Sequence, residues 1–135
     1  MKYLIIILFI NTTYGISIDK CFNIASKEYQ IPNKLLKAIA KTETKLDPLA
    51  LHLNSNHTYD IGIMQINSTW LPKLAKVGIQ QIELLDSCKN IQVGAWILAQ
   101  NIKQYGFTRK AVGAYNSANP KLQEKYVKLV MNNLE

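Results

Sequence analysis

Glu43 is the residue with the clearest capacity for chemistry, because it is an acid at a position where a leucine would be expected. Ala40, Ile39 and Leu36 lie three, four and seven residues before it, so its side chain shares the apolar face of a predicted helix. Burial disfavours the charged carboxylate, and the negative end of the helix dipole acts in the same direction, so the pKa of Glu43 should rise. A carboxylic acid that stays protonated near neutral pH can protonate a glycosidic oxygen. The alternative is a helix-end Glu that faces solvent or pairs with a neighbouring lysine.

A second unusual segment, residues 59–68, is a short apolar run interrupted by a glycine and two amides. Gly62 predicts close approach of the backbone to another chain or a ligand. Gln65 and Asn67 lie two residues apart and share a face if the segment is extended, where they suit sugar hydroxyls and acetamido groups. A buried strand with satisfied amides is the alternative interpretation.

Tyr115 closes a short predicted helix, in the sequence Ala114–Tyr115–Asn116. A tyrosine offers an apolar face and a hydroxyl, so it can orient the acid or bridge to a substrate oxygen. A purely structural tyrosine at a helix end explains the residue equally well.

The elements that must position these residues are almost all helical, because the apolar spacing is helical over most of residues 16–135. Start signals predict five helices. Ser17 caps the first, Pro32 lies in the first turn of the second, and Thr108 caps the fourth. The third runs from about Asn90 to Tyr105 and is ended by Gly106, and the fifth begins at Asn119–Pro120. The periodicity fails from Thr44 to Tyr59, which predicts an irregular connection with a function. The expected fold is a mainly α single domain with a short irregular or β segment around residues 58–67.

The chain of 135 residues suits one compact domain. Residues 1–15 have the charged start, the apolar stretch and the small residue before the cleavage site that are typical of a secretory signal peptide. Cleavage would leave residues 16–135 as the exported domain. The apolar run is short for a membrane helix, so we expect no stable membrane insertion after cleavage. An uncleaved segment lengthened by its flanks is the alternative.

The two cysteines, Cys21 and Cys88, both follow the predicted cleavage point. An even pair in an exported protein predicts a disulfide, which would fasten the first helix to the core. Two buried free thiols are the alternative. No metal site is expected, because His52 and His57 lie in a polar stretch and Cys21 is remote from them in sequence.

The formal net charge of +7 favours an anionic partner such as cell-wall polymer, a membrane surface or nucleic acid. The lysines are scattered, without a basic run or interleaved aromatic residues, so we expect no nucleic-acid binding. A solvated basic surface is the simpler interpretation of this charge. Sequence does not define an oligomeric state, and a monomer is our expectation.

Three separated segments resemble the motifs of the soluble lytic transglycosylase family. They are Ala38 to Pro48 around the acid, Gly62 to Asn67, and Ala114 to Asn116. Their order and spacing extend the resemblance over roughly residues 20–130. The sequence departs from the family at Thr44, where a serine usually follows the acid. Within the family, the chain is most similar to the small exported members that accompany type III secretion systems.

The resemblance implies a lysozyme-like fold of the goose type and a periplasmic enzyme that acts on peptidoglycan glycan strands, with a secretion-system component as a further partner. It implies that Glu43 acts as acid and then base, without metal or cofactor, and that the muramyl 6-hydroxyl attacks C1 to form a 1,6-anhydro sugar. The substrate-binding residues that it implies are Thr44, Met64, Gln65, Asn67, Tyr115 and Asn116.

Asp60 introduces a second mechanism. The stretch from Glu43 through Asp60 to Ser68 is also similar to the active-site region of chicken-type lysozyme, where a second carboxylate occupies the matching place. Lysozyme is a standard case of two carboxylates with separate roles. Asp60 would then stabilise an oxocarbenium ion or permit hydrolysis by water. A structural acid that only accepts hydrogen bonds is the alternative.

Overall fold

The computed structural model describes residues 15–134, and within them the chain is mainly helical with one small sheet. The α-helices are α1 Ile18–Tyr29, α2 Asn33–Thr44, α3 Leu71–Lys76, α4 Ser87–Tyr105, α5 Arg109–Asn116 and α6 Pro120–Asn132. The strands are β1 Leu51–Leu53, β2 Tyr59–Ile61 and β3 Ile66–Asn67, and short 3-10 helices span Ser68–Trp70 and Gln81–Leu85. The predicted fold class is confirmed. The predicted signal peptide lies outside the described residues except for Gly15.

The predicted helix starts rest on local hydrogen bonds. Ser17, Thr108 and Asn119 each accept a backbone N–H two or three residues ahead, at 3.2, 3.3 and 2.9 Å, which satisfies donors that the first turn leaves free. Two boundaries differ from the prediction. Pro32 precedes α2 instead of lying in its first turn, and α4 begins at Ser87, because the Asp86 carboxylate accepts from Lys89 N at 2.9 Å.

The core surrounds α4, which packs against α1 on one side and α5 on the other. The helical period predicts a buried stripe of Ile91, Ala95, Leu98 and Ile102 on this helix; the first three are fully buried and Ile102 is partly buried. Cys21 of α1 and Cys88 of α4 form the predicted disulfide. α1 is therefore joined covalently to the helix that organises the domain. No helix within residues 15–134 has the length and apolar character to span a membrane.

The sheet is antiparallel, in the order β1-β2-β3. Its register places Asp60 opposite both His52 of β1 and Asn67 of β3. β1 lies inside the stretch predicted to be irregular, so that prediction was wrong for residues 51–53. All three residues of β1 are exposed, so burial imposes no alternation that the sequence would reveal.

A tight turn over residues 62–65 joins β2 to β3 and packs on α4. The fully buried Asn90 amide donates to Ile61 O at 2.9 Å and to Leu84 O at 2.8 Å, and its carbonyl accepts Met64 N at 2.9 Å. Gly62 has φ +76°, and a Cβ there would overlap the Asn90 side chain. The close approach predicted for Gly62 is therefore to this chain's own core.

Candidate active site

A polar groove of about 560 Å³ opens where the end of α2, the sheet and the end of α5 meet. Glu43 and Asp60 both line it, although they come from a helix and a strand separated by an exposed loop. Amides and hydroxyls supply much of the remaining wall, including Asn54, Asn56, Thr58, Gln65, Asn67 and Asn116. Two carboxyl groups surrounded by hydrogen-bonding groups suit a hydroxyl-rich, neutral substrate.

Glu43 sits at the edge between core and groove. It precedes the last residue of α2, whose inward face is formed by the fully buried Leu36, Ile39 and Ala40. The helix ends immediately afterwards, because Lys45 and Leu46 adopt left-handed conformations with φ of 54° and 67°. The carboxyl group is therefore partly buried yet faces the groove.

The surroundings of Glu43 favour its protonated form. Desolvation by burial raises the pKa of Glu43 from 4.5 to about 7, the hydrogen bond from Tyr126 opposes this rise, and the nearby charge of Asp60 adds to it. The direction agrees with the sequence prediction. At neutral pH the group is poised between the acid and base forms, as a carboxyl that must both donate and accept a proton requires.

Tyr126 of α6 is the contact that sequence reasoning missed. Its hydroxyl donates to Glu43 Oε1 at 2.7 Å, and only 5% of the residue is exposed. Burial raises the pKa of Tyr126 above its usual range, with the charge of Glu43 as the next cause, so the hydroxyl remains a donor. The signal available was weak: Tyr126 shares a helix face with Val130, and a buried tyrosine needs a partner for its hydroxyl.

Tyr115 lies beside the acid without bonding to it. Its hydroxyl donates to Met64 O at 2.7 Å, which ties the end of α5 to the turn at residues 62–65. Burial raises the pKa of Tyr115, and the charges of Glu43 and Asp60 raise it further, so this hydroxyl also stays protonated. This bond fits the alternative of a structural tyrosine, whereas the predicted contact with a substrate oxygen stays a prediction.

Gln65 and Asn67 both line the groove, but on different backbone geometry from the one predicted. Gln65 has φ 54° and belongs to the turn, not to an extended strand. Its side-chain NH₂ donates to Gly62 O at 3.1 Å and approaches Ala50 O at 3.3 Å. The side-chain amide therefore closes the turn, and Gln65 lines the groove.

Asp60 is held from two sides. Its Oδ1 accepts the Asn67 amide at 2.8 Å and its Oδ2 accepts the Asn54 amide at 3.0 Å. Thr58 Oγ1 accepts from the same two amides, at 3.2 and 3.1 Å. Asp60 is thus fixed in orientation inside the groove.

Thr44 and Met64 lie behind the groove wall. The Thr44 hydroxyl donates to Ile63 O at 2.8 Å and accepts Asp47 N at 3.1 Å. The Met64 side chain is fully buried, and its sulfur packs under Gly94. The residues predicted for substrate contact therefore divide into two sets, with Gln65, Asn67, Tyr115 and Asn116 at the groove and Thr44 and Met64 supporting it.

Residues 15–134 contain no group of three or more His, Cys, Asp or Glu side chains placed to hold a metal ion.

These features define a class: a mainly helical, lysozyme-like domain with one acid held partly buried at the edge of a polar groove. The chain belongs to the family of the transglycosylase SLT domain, whose model matches residues 20–129. The family resemblance carried by the three motifs is thereby confirmed.

Curated relatives cover most of the chain. It is 39% identical over 142 aligned residues to invasion protein IagB of Salmonella typhi, covering 98% of this chain and 86% of that protein. It is 36% identical over 110 residues to protein IpgF of Shigella sonnei, covering 80% and 72%. With the X polypeptide of Escherichia coli it shares 40% identity over 98 residues, covering 72% and 58%.

Proposed function

We propose that the protein is a peptidoglycan lytic transglycosylase that cleaves the β-1,4 bond between N-acetylmuramic acid and N-acetylglucosamine, with Glu43 as general acid and then base. The single observation that carries this proposal is the protonation balance of Glu43. Its pKa is raised to about 7 at the edge of a polar groove, and membership of the SLT family supplies the substrate class.

In the first step the protonated Glu43 carboxyl gives its proton to the glycosidic oxygen, and the bond from that oxygen to muramyl C1 breaks. In the second step the muramyl 6-hydroxyl forms a bond to C1 and its proton passes to the Glu43 carboxylate. The products are a free N-acetylglucosamine 4-hydroxyl and a 1,6-anhydro muramyl end. Both steps need only one carboxyl group, and the second is favoured because the attacking hydroxyl belongs to the same sugar.

Glu43 meets both demands because opposing effects set its pKa. Desolvation stabilises the acid needed for the first step, whereas the Tyr126 hydrogen bond stabilises the carboxylate needed for the second. Gln65, Asn67 and Asn116 are placed at the groove to accept or donate hydrogen bonds to sugar hydroxyls and acetamido groups.

Asp60 favours a second candidate, lysozyme-like hydrolysis. It lines the same groove and is held in place by the side-chain amides of Asn54 and Asn67. A fixed carboxylate in the same groove can stabilise positive charge at C1, or bond to C1 and form a glycosyl-enzyme intermediate that water then hydrolyses, as in retaining glycosidases. Transglycosylation remains the first proposal because family membership favours it.

Mass spectrometry of fragments released from purified peptidoglycan tests both candidates. Anhydro muramyl ends support transglycosylation, and reducing ends support hydrolysis. Glu43→Gln should lower the release of fragments by about 10² to 10⁴-fold, the usual contribution of a general acid. Glu124→Gln, an exposed glutamate on α6, is the matched control and should behave as wild type.

A variant of Glu43 with undiminished activity would remove the proposal. Binding of peptidoglycan without any cleavage by the wild-type protein would instead support a non-catalytic wall-binding or assembly factor.

We also propose that the protein is exported to the periplasm and opens the wall locally for a secretion system. The apolar start of the sequence and the likeness to an invasion protein support this setting. Fractionation of cells that produce the full chain tests it, and retention in the cytoplasm would contradict it.

A further inference from the structure

A second groove adjoins the catalytic groove. It has a volume of about 600 Å³ and lies between α3, the end of α1 and the first half of α4. Trp70 lines the catalytic groove and Trp96 lines the second one. Their rings pack edge to face with centroids 5.5 Å apart. The tryptophan pair is therefore the wall shared by the two grooves, which places them side by side.

The second groove, which we call the lysine groove, combines an apolar floor with a cationic rim. Leu74, Val93 and Trp96 belong to the floor, and Lys73, Lys76 and Lys89 to the rim. No acidic side chain of the described residues lines it. Two acids lie on neighbouring segments: Glu28 of α1 accepts a hydrogen bond from Gln92 at 3.2 Å, and Asp86 caps α4 beside Lys89. The catalytic groove differs, because its polar wall holds two carboxyl groups.

We propose that the lysine groove binds the acidic peptide stem that peptidoglycan carries on its muramyl residues. This inference rests on the proposed function and identifies a second part of the same substrate. Free carboxylates of the stem would pair with the lysine ammonium groups, which form strong charge-assisted bonds. Small apolar side chains of the stem would cover the floor. The stem is attached close to the scissile bond, so it must lie within reach of a groove that shares a wall with the catalytic one.

A binding experiment on the full protein tests the inference without any cleavage. The sequence contains two tryptophans, Trp70 and Trp96, so intrinsic fluorescence reports directly on the shared wall. A synthetic stem peptide without sugar should produce a saturable change in fluorescence, and the same peptide with amidated carboxylates should produce a much smaller one. Equal responses to the two peptides, or no response to the acidic peptide, would overturn the inference.

A kinetic experiment tests it during turnover. Lys76→Gln with Lys89→Gln should raise KM about tenfold on peptide-bearing glycan, the equivalent of about 1.4 kcal/mol, and leave KM unchanged on glycan stripped of its peptides. The matched control is Lys103→Gln with Lys125→Gln, which removes the same charge from exposed positions on α4 and α6.

The inference fails if the control pair raises KM on peptide-bearing glycan as much as the groove pair does, because general attraction to an anionic polymer then explains the effect. It also fails if the groove pair weakens both substrates equally. If the wild-type protein cleaves neither glycan, the proposed function is refuted but the inference about the lysine groove is not. The fluorescence titration then still decides whether the peptide binds.

Discussion

The hydroxyl of Tyr126 donates a hydrogen bond to Glu43 Oε1 at 2.7 Å, across 83 residues of sequence. This contact joins α6 to the end of α2 at the point where the acid meets the groove. It opposes the desolvation that raises the pKa of Glu43. The proton affinity of the proposed catalytic group is thus set by two elements from opposite ends of the domain.

Replacing Tyr126 by phenylalanine should move the alkaline limb of activity to higher pH. The hydrogen bond from Tyr126 lowers the pKa of Glu43, so its loss leaves desolvation less opposed and the pKa rises above about 7. The measurement is kcat/KM against pH, with loss of activity assigned to ionisation of Glu43. Tyr59→Phe is the control, because its hydroxyl bonds to Gln81 instead. A limb that stays in place or moves to lower pH would contradict the assignment.

Replacing Glu43 by glutamine should stabilise the fold, and more so at higher pH. The folded-state pKa of Glu43, about 7, exceeds its ordinary value of 4.5. The contribution of protonated Glu43 to the free energy of unfolding is therefore fully present below about pH 4.5. It is lost as pH rises through 7, because Glu43 in the unfolded chain gives up its proton at a lower pH than in the folded protein. The gain from the substitution at pH 8 should be on the order of 2 kcal/mol after discounting partial exposure.

Urea unfolding of both proteins at pH 4 and pH 8 measures this difference. Glu124→Gln should show no such change between the two pH values, since Glu124 is exposed and paired with Arg109. Equal stability of wild type and Glu43→Gln at pH 8 would refute the proposed burial of the acid.

The Thr44 hydroxyl should matter through the turn that it supports. Thr44→Val keeps the shape but removes the donor to Ile63 O, so unfolding should become easier by about 1 to 2 kcal/mol. Activity should fall as well, because the same turn carries Gln65. Thr44→Ser keeps the hydroxyl and should remain close to wild type in urea unfolding and in turnover. Equal stability of the two variants would show that the hydrogen bond contributes nothing.

Reduction of the disulfide should destabilise the fold strongly. Cys21 and Cys88 are 67 residues apart, and closing a loop of this length is worth about 4 kcal/mol in the unfolded chain. Urea unfolding with and without reductant measures the loss, and a Cys21→Ala, Cys88→Ala double variant should match the reduced protein. Two thiols that react with an alkylating reagent before reduction would contradict the pairing.

Local hydrogen bonds explain why most of the helical fold was predictable. Ser17, Thr108 and Asn119 accept from backbone groups within three residues, so residue type and position suffice to place these helix starts. The buried stripe of α4 follows the helical period, and the inward placement of Glu43 follows from the same counting.

Features that depend on long-range packing were missed or misplaced. The exposed strand β1 exists because it pairs with β2, and the left-handed Gln65 exists because the turn must fit against Asn90. Asn90 and Tyr126 carry little local signal, since Asn90 reaches Met64 across 26 residues and Tyr126 reaches Glu43 across 83.

The sequence by itself determined the family and the helical scaffold and placed Glu43 on the inward face of its helix, because motif spacing and helical period are properties of neighbouring residues. Tertiary structure alone decided which groups set the pKa of Glu43. The pKa of Glu43 follows from the core that desolvates it, from Tyr126 and from Asp60. These groups meet only when α6 and the sheet close around the end of α2.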